Sequence, residues 1–498
     1  MHSVLPLDFE YSGRLPELIF GYVSVNSRGG ESVFGPTTER WPESTERFAA
    51  RRDDHREAGR ALEAMGFIIL ADSPLGIAVA GPSGAYEELT GARVARHEVL
   101  LHAESGRQRY VTHLDLVGEG QPSVLGLGYA STPAARIEGV ILERPRLYNS
   151  VFPSPIPPIT PRFHLRVPDD VALGLGATAA HRQGYVGSEV NVAMVDSGHY
   201  LHPFFPAHHY NVRPPIALVP GTDPSKDPHG HGTGESANIF AVAPGATLQP
   251  LRASNDKGNL VAAIAGFLRA KAARPAIMTN SWGGDDPYPP SGPPDAYERA
   301  WGLEIRHAVE QGILVVFSAG NGQFSIEPQV PGVLAAGGTF MQRDLTLSAS
   351  DYTSGYESPW FPGVRVPDVC GLVGMRPRAQ YLLLPIPPGC VIDVDESLPA
   401  PPRDPDSDGT AGNDGWALFS GTSAAAPQLA GVAALILSAR PGLSPAQVTR
   451  AIAATTIDIT TGRCHPRFNN AAAPGPDLAT GVGLVNASAA VSYALQNF

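Results

Sequence analysis

The chain has 498 residues, enough for two or three domains, and its net charge of -12 excludes a protein that binds nucleic acid through a basic face. No run of eighteen uninterrupted apolar residues reads as a membrane span. Three cysteines, Cys370, Cys390 and Cys464, cannot make a disulfide framework. A Cys370–Cys390 pair is compatible with the spacing, and free buried thiols are the simpler expectation.

In chain order, residues 1–10 lack a basic start and a continuous apolar core, so they do not read as a secretory signal. A cytoplasmic location is expected, with secretion as the alternative. Leu18 to Val25 reads as a strand, Glu43 to Met65 as a mostly helical span, Phe67 to Ala71 and Ile77 to Ala80 as strands, Ser83 to Thr90 as a short helix and Arg93 to His102 as a strand. This β-α-β-β-α-β order over residues 1–105 predicts a ferredoxin-like α+β domain. Residues 106–164 read as a connector ending in a proline-rich run from Pro153 to Pro161, a stiff extended boundary. Residues 165–498 then form the larger domain.

Val190 to Val195 is an apolar strand that delivers Asp196 at its end, followed by Ser197-Gly198, which is how an α/β protein presents a carboxylate at the carboxyl edge of a sheet. His231 lies between Gly230 and Gly232 at the start of a second predicted helix, unhindered on both sides. His199, His202, His208, His209 and His229 crowd the same stretch. No Cys or Glu at ligand spacing joins them, so they read as surface histidines and not a zinc site. Gly312 to Ser318 is a wholly apolar strand ending in Ala319-Gly320-Asn321, which offers an amide donor at the sheet edge. Its plain alternative is a turn asparagine.

Between Asp368 and Ser423 the chain is proline-rich and turns acidic. Asp404, Asp406, Asp408 and Gly409 echo a calcium loop without the closing glutamate, so 404–414 reads as a solvated acidic loop. Ser423, in Gly421-Thr422-Ser423-Ala424, opens a helix that is apolar almost all round and therefore buried at the centre of its domain. A lone Gly-Thr-Ser is a helix cap. Ser423 together with an acid, a histidine and an amide, all at glycine-rich element ends, reads as a nucleophile with its apparatus. Further on, Ser444-Pro445-Ala446-Gln447 is a capping box with Pro at the first helical position, predicting a helix over 444–456.

The segments around Asp196, His231, Asn321 and Ser423, in that order, resemble the signature blocks of the subtilisin-like serine protease family. Asn280-Ser281-Trp282-Gly283-Gly284, Val366-Pro367-Asp368-Val369 and Gly481 to Ala487 agree as well. The resemblance runs from about residue 165 to the C-terminus. It implies a three-layer α/β domain with a mostly parallel sheet, and a serine endopeptidase in which Ser423 attacks, His231 is the base, Asp196 orients it and Asn321 stabilises the oxyanion. It further implies a substrate pocket lined by Ser281, Trp282, Gly283, Ala319 and Gly320, and a segment from Ser254 to Asn259 that pairs with extended substrate. The partners implied are a protein or peptide substrate and the chain's own N-terminal domain as an inhibitor, since that domain is similar to the family's propeptides. No cofactor, metal, nucleic acid or membrane is expected.

This chain departs from the pattern in three places. Gly234 and Glu235 stand where many members have His-Val, which alters the face behind the imidazole. Ile239-Phe240 runs directly into Val242-Ala243-Pro244 without the loop that holds a strong calcium site in bacterial relatives. Residues 370–415 are inserted, and either restrict the cleft or bind a partner. The rival reading is a catalytically restricted relative that only holds peptides. A damaged triad would mark it, and here all four chemical positions are filled.

Overall fold

The structure, a computed structural model, describes residues 15–34, 46–102, 108–118, 130–134, 136–143, 153–284, 286, 289, 292–401 and 406–498. The N-terminal ten residues and Asp404 lie outside the described residues. Contacts divide the chain into two units, Met1–Ala103 with Arg107–Val151, and Phe152–Phe498 with Glu104–Gly106.

In the lead unit the predicted element order is present, as strand Ile19–Val25, helix Arg52–Ala64, strands Ile68–Ser73 and Gly76–Gly81, helix Ser83–Thr90 and strand Arg93–His102. The helices bury Ala58, Leu62, Tyr86 and Leu89 against Val23, Val79 and Val140 of the sheet. The strand pairing corrects which segment supplies the last strand of the expected sheet. Arg93–His102 leaves the sheet to form a ten-pair antiparallel ladder with Gln108–Val117. Its place beside Ile19–Val25 is taken by Ile137–Leu142, which Ala130–Ser131 then flanks. A partner a few residues away closes a short loop at small entropy cost, which favours the local hairpin. The stretch 106–164, read as a connector, thus supplies three strands to the lead unit.

The larger unit is a parallel sheet between two helical layers. Strands Thr247–Arg252, Asn191–Asp196, Ile277–Asn280, Leu314–Ser318 and Leu334–Met341 lie side by side and parallel, with Leu347–Ala349 antiparallel at one end. Alternation along Asn191–Asp196 sends Val192 and Met194 into one apolar core and Ala193 and Val195 into another. The first core holds helices His231–Val242 and Thr422–Ala439. The second holds Ala263–Ala272 and Ala296–Glu310, which bring Phe267, Trp301 and Ile305. From Asn191–Asp196 the chain first moves to one neighbour and then to the other, so this strand ends at the switch point of the sheet. An open α/β sheet has its crevice there.

Thr422–Ala439 is, by length and mean hydropathy, apolar enough to cross a membrane, although Thr422, Ser423, Gln428 and Ser438 interrupt its apolar run. Its residues Ala424 through Ile436 are all buried, because it is the central core helix of the unit. The capping box at Ser444 forms, with Gln447 Oε1 accepting from Ser444 N at 2.9 Å, and the helix there spans Pro445–Ala453.

Candidate active site

Three sheet edges and two helix starts converge. Asp196 is the last residue of its strand, 3% exposed, and its Oδ1 accepts both from Ser197 N and from His231 Nδ1, each at 2.7 Å. His231 is the first residue of its helix. The glycines around these residues are required by close approach. A Cβ on Gly232 would lie 2.2 Å from the Gly198 carbonyl oxygen, and one on Gly230, where φ is +94°, would lie 2.4 Å from Cys390 Sγ. Asp-Ser-Gly and Gly-His-Gly therefore interlock backbone to backbone, and that contact sets the acid against the imidazole.

Asp227 fixes this interlock. Its carboxylate accepts from Ser197 Oγ at 2.8 Å, Gly230 N at 2.9 Å, Thr233 N at 2.9 Å and Thr233 Oγ1 at 2.7 Å, capping the helix that begins at His231. Its role was missed in the sequence, although an acid four residues before the histidine, in a Gly-rich helix approach, is the signal of such a cap. The insertion braces the same loop from outside. Val391 N donates to Pro228 O and Ile392 N to His229 O, both at 3.1 Å.

Ser423 is the second residue of the core helix, partly exposed. Its Oγ donates to Ser281 O at 3.1 Å, and Ser281 Oγ donates to Ser423 O at 2.8 Å. Among the described residues no hydrogen bond joins Ser423 Oγ to His231, so the serine is parked on a carbonyl of the cleft wall. Asn321, exposed in the loop after Leu314–Ser318, accepts through Oδ1 from Thr422 N and Thr422 Oγ1, both at 2.9 Å. Because Oδ1 meets an N–H, Nδ2 is the donor end. It stands over Gly421, where an added Cβ would come within 3.2 Å of it. The helix start supplies unpaired N–H groups and a partial positive charge at the same spot.

The pocket residues are spread differently from the expectation. Ser281 and the backbone of Gly283 sit at the end of strand Ile277–Asn280, but the Trp282 indole is turned into the core. Its Nε1 donates to Val195 O at 2.7 Å, and its ring stacks on Trp301 with centroids 5.9 Å apart. Ala319 is buried beside Phe324 and Val366, and Gly320, at φ +101°, has no room for a Cβ against Ser354 Oγ. Under Gly283 and Gly284 lies Glu327, buried, accepting from Trp301 Nε1 at 3.0 Å and Gly284 N at 3.3 Å. Ser254 to Asn259 closes on itself as a turn, with Asn255 N donating to Asn259 O at 3.0 Å, because Asn255 Oδ1 gathers the N–H groups of Lys257 and Asn259.

Two further expectations are corrected. His199 and His202 are core residues, packed on Phe205 at 4.8 Å and Trp416 at 5.2 Å, and burial pushes both imidazoles down to about 3, so they are neutral. Glu235, expected from the sequence to alter the face behind the imidazole without touching the triad, reaches it, since its Oε1 lies 3.8 Å from His231 Nε2. In the acidic loop Asp408 is buried, with Leu418 N on Oδ2 and Thr410 on Oδ1. All three cysteines are free and buried.

A serine at a helix start, an acid-held imidazole and an amide donor on a parallel sheet define the class of serine hydrolases that attack acyl groups. Residues 187–483 match the model of the subtilase family. The chain belongs to the subtilase family of serine endopeptidases. It is 28% identical over 327 residues to Subtilisin Savinase of Lederbergia lenta, covering 63% of this chain and 95% of that one. It is 29% identical over 327 residues to the M-protease of Shouchella clausii, covering 63% and 67%. Among solved structures, fervidolysin of Fervidobacterium pennivorans, described as a keratinolytic enzyme related to subtilisin, aligns with 96% of this chain at 18% identity and a TM-score of 0.47. This chain spans 62% of fervidolysin's length.

Proposed function

We propose that this chain cleaves peptide bonds within proteins through an acyl-enzyme on Ser423. His231 takes the Ser423 proton and returns it to the leaving amine, while Asp196 keeps the Nδ1–H tautomer and balances the imidazolium. Asn321 Nδ2 and the Ser423 N–H receive the oxyanion. The backbone of Ser281, Trp282 and Gly283 and the small residues Ala319 and Gly320 flank the substrate side chain. The observation that carries the reading is the 2.7 Å Asp196–His231 hydrogen bond, made beside a serine at a buried helix's start whose neighbour, Thr422, is held by Asn321. In this mechanism Ser423 Oγ leaves the Ser281 carbonyl for the imidazole before it attacks.

The test is labelling by a fluorophosphonate. Wild type is expected to be labelled at Ser423, and Ser423→Ala not at all. An unlabelled wild type, even after the lead unit has been clipped off, overturns the proposal. The lead unit acts in the same proposal as an intramolecular inhibitor released by self-cleavage within 106–164. N-terminal sequencing of fully active protein that finds only intact Met1 would exclude that step.

A further inference from the structure

The imidazole of His231 has carboxyls on both sides. Asp196 takes Nδ1, and Glu235, one helical turn on, brings Oε1 to 3.8 Å from Nε2. Glu235 is 0% exposed and Oε1 has no hydrogen-bond partner. Its other oxygen is fixed, because Oε2 accepts from Asn238 Nδ2 at 2.8 Å and Asn238 Oδ1 accepts from Gln428 Nε2 at 3.2 Å. Gln428 lies on the helix of Ser423 and is itself tied to Leu372 N at 2.7 Å and Leu372 O at 3.0 Å. Phe419 closes the site, its ring filling the space where a Cβ on Gly234 would come within 2.1 Å. A buried carboxyl held at one oxygen and left unpaired at the other is costly unless the second oxygen has an occasional partner, and the nearest polar atom described for it is Nε2.

We infer that Glu235 is a positioning residue which, by sharing a proton with His231 Nε2, withholds the imidazole from Ser423 until that proton is lost. The inference rests on His231 being the base proposed above. When one proton lies between Glu235 and Nε2, the imidazole has no lone pair for Ser423, and the serine keeps its hydrogen bond to the Ser281 carbonyl. When the proton departs, Glu235 is a carboxylate, Nε2 is free to accept, and the nearby negative charge favours the imidazolium that forms as Ser423 attacks.

The surroundings agree in sign. Burial opposes a charge on His231, yet the Asp196 carboxylate outweighs it through charge and hydrogen bond, with Glu235 and Asp227 adding, so the proton affinity of the imidazole is held up. Burial raises the Glu235 carboxyl, His231 pulls it down, and Asp196 raises it again. Other charged groups around the pair are few. The loop before the helix brings Asp227 and His229. Helix Thr422–Ala439 and strand Leu382–Pro385 carry no charged residue, and on helix Asp169–Gly174 the exposed Asp169 stands beside Asp170, which pairs with Arg166.

The experiment compares Glu235→Gln with wild type in two readouts. The first is the pH dependence of Ser423 labelling by a fluorophosphonate. The second is the titration of His231 by NMR of 13C-histidine-labelled Ser423→Ala protein, the signal being assigned by its loss in His231→Gln. Removing the carboxylate is expected to move the acid limb of labelling, and the His231 midpoint, down by about 1–2 pH units. Glu235→Asp, which keeps the charge but withdraws it by a methylene, is expected to move both less and in the same direction. It also serves should the glutamine variant not fold. Midpoints unchanged in a folded variant overturn the inference. A wild type that never labels defeats the peptidase reading alone, because the NMR titration still decides whether Glu235 and His231 share a proton.

Discussion

At the scale of single residues, two side chains separate catalysis from stability. Asn321 does two jobs, since Oδ1 caps the core helix through Thr422 while Nδ2 is the proposed oxyanion donor. Asn321→Asp keeps an acceptor at the positive end of a helix and removes only the donor. It is expected to lower kcat by roughly 10²–10³-fold, with KM little changed and thermal stability at or above wild type. Asn321→Ala is expected to lose kcat to the same degree and about 1 kcal/mol of stability as well. Equal melting temperatures for the two variants would refute the capping role. Asp393, in the insertion behind the His231 loop, gives a pH prediction. It is buried, one oxygen accepts from Gly389 N at 2.7 Å, and the other has no partner. Burial, with Asp414 and Asp408 nearby, pushes its carboxyl up to about 7. A carboxyl raised on folding contributes stability below its ordinary value, and that contribution is lost as pH climbs through about 7. The melting-temperature difference, Asp393→Asn minus wild type, measured in Ser423→Ala background, is therefore expected to grow more positive from pH 5 to pH 8. A difference that stays flat would mean the carboxyl is not raised.

At the scale of elements, the site depends on how the helix of His231 crosses the helix of Ser423. Gly431 is the contact point, since a Cβ there would stand 2.7 Å from Val242 Cβ and 3.0 Å from the Ile239 carbonyl. Alanine suits a helix better than glycine by up to about 1 kcal/mol, while wedging a methyl into a packed crossing costs about 1–3 kcal/mol. Gly431→Ala is thus expected to destabilise by about 1–2 kcal/mol in denaturant unfolding, and to slow fluorophosphonate labelling by displacing His231 relative to Ser423. A variant as stable and as reactive as wild type would show that the crossing has slack. The same elements explain what the sequence disclosed. Strand ends at Asp196 and Ser318, the glycines around His231 and the box at Ser444 carry local signals, because each is a turn, a close approach or a cap. Partners distant in the chain carried none. The replacement of Arg93–His102 by Ile137–Leu142 beside the first strand, the packing of His202 on Trp416, and the tie between Asn238 and Gln428 that holds Glu235 depend on residues brought together only by the fold.

At the scale of the whole molecule, the described buried residues of the two units form separate sets. The lead unit's core is built around Val23, Leu62, Tyr86 and Val140, and the larger unit's around Val195, Phe240, Leu384 and Leu429 with their neighbours. A small core leaves a larger fraction of its surface in water and is the weaker of two cores built from similar residues. Heating Ser423→Ala protein, which cannot digest itself under the proposed mechanism, is therefore expected to give two calorimetric transitions. The lower belongs to the lead unit, and the upper has the larger enthalpy, because unfolding enthalpy scales with the number of residues ordered. The upper transition has a further property that follows from this order of events. Once the lead unit has melted it can no longer stabilise anything by binding, so the upper transition of the full chain should coincide with that of a fragment of residues 152–498. If the full chain instead melts in one transition above that of the fragment, the lead unit is bound to the larger one until both unfold together. The two cores would then be one cooperative system despite sharing no residues.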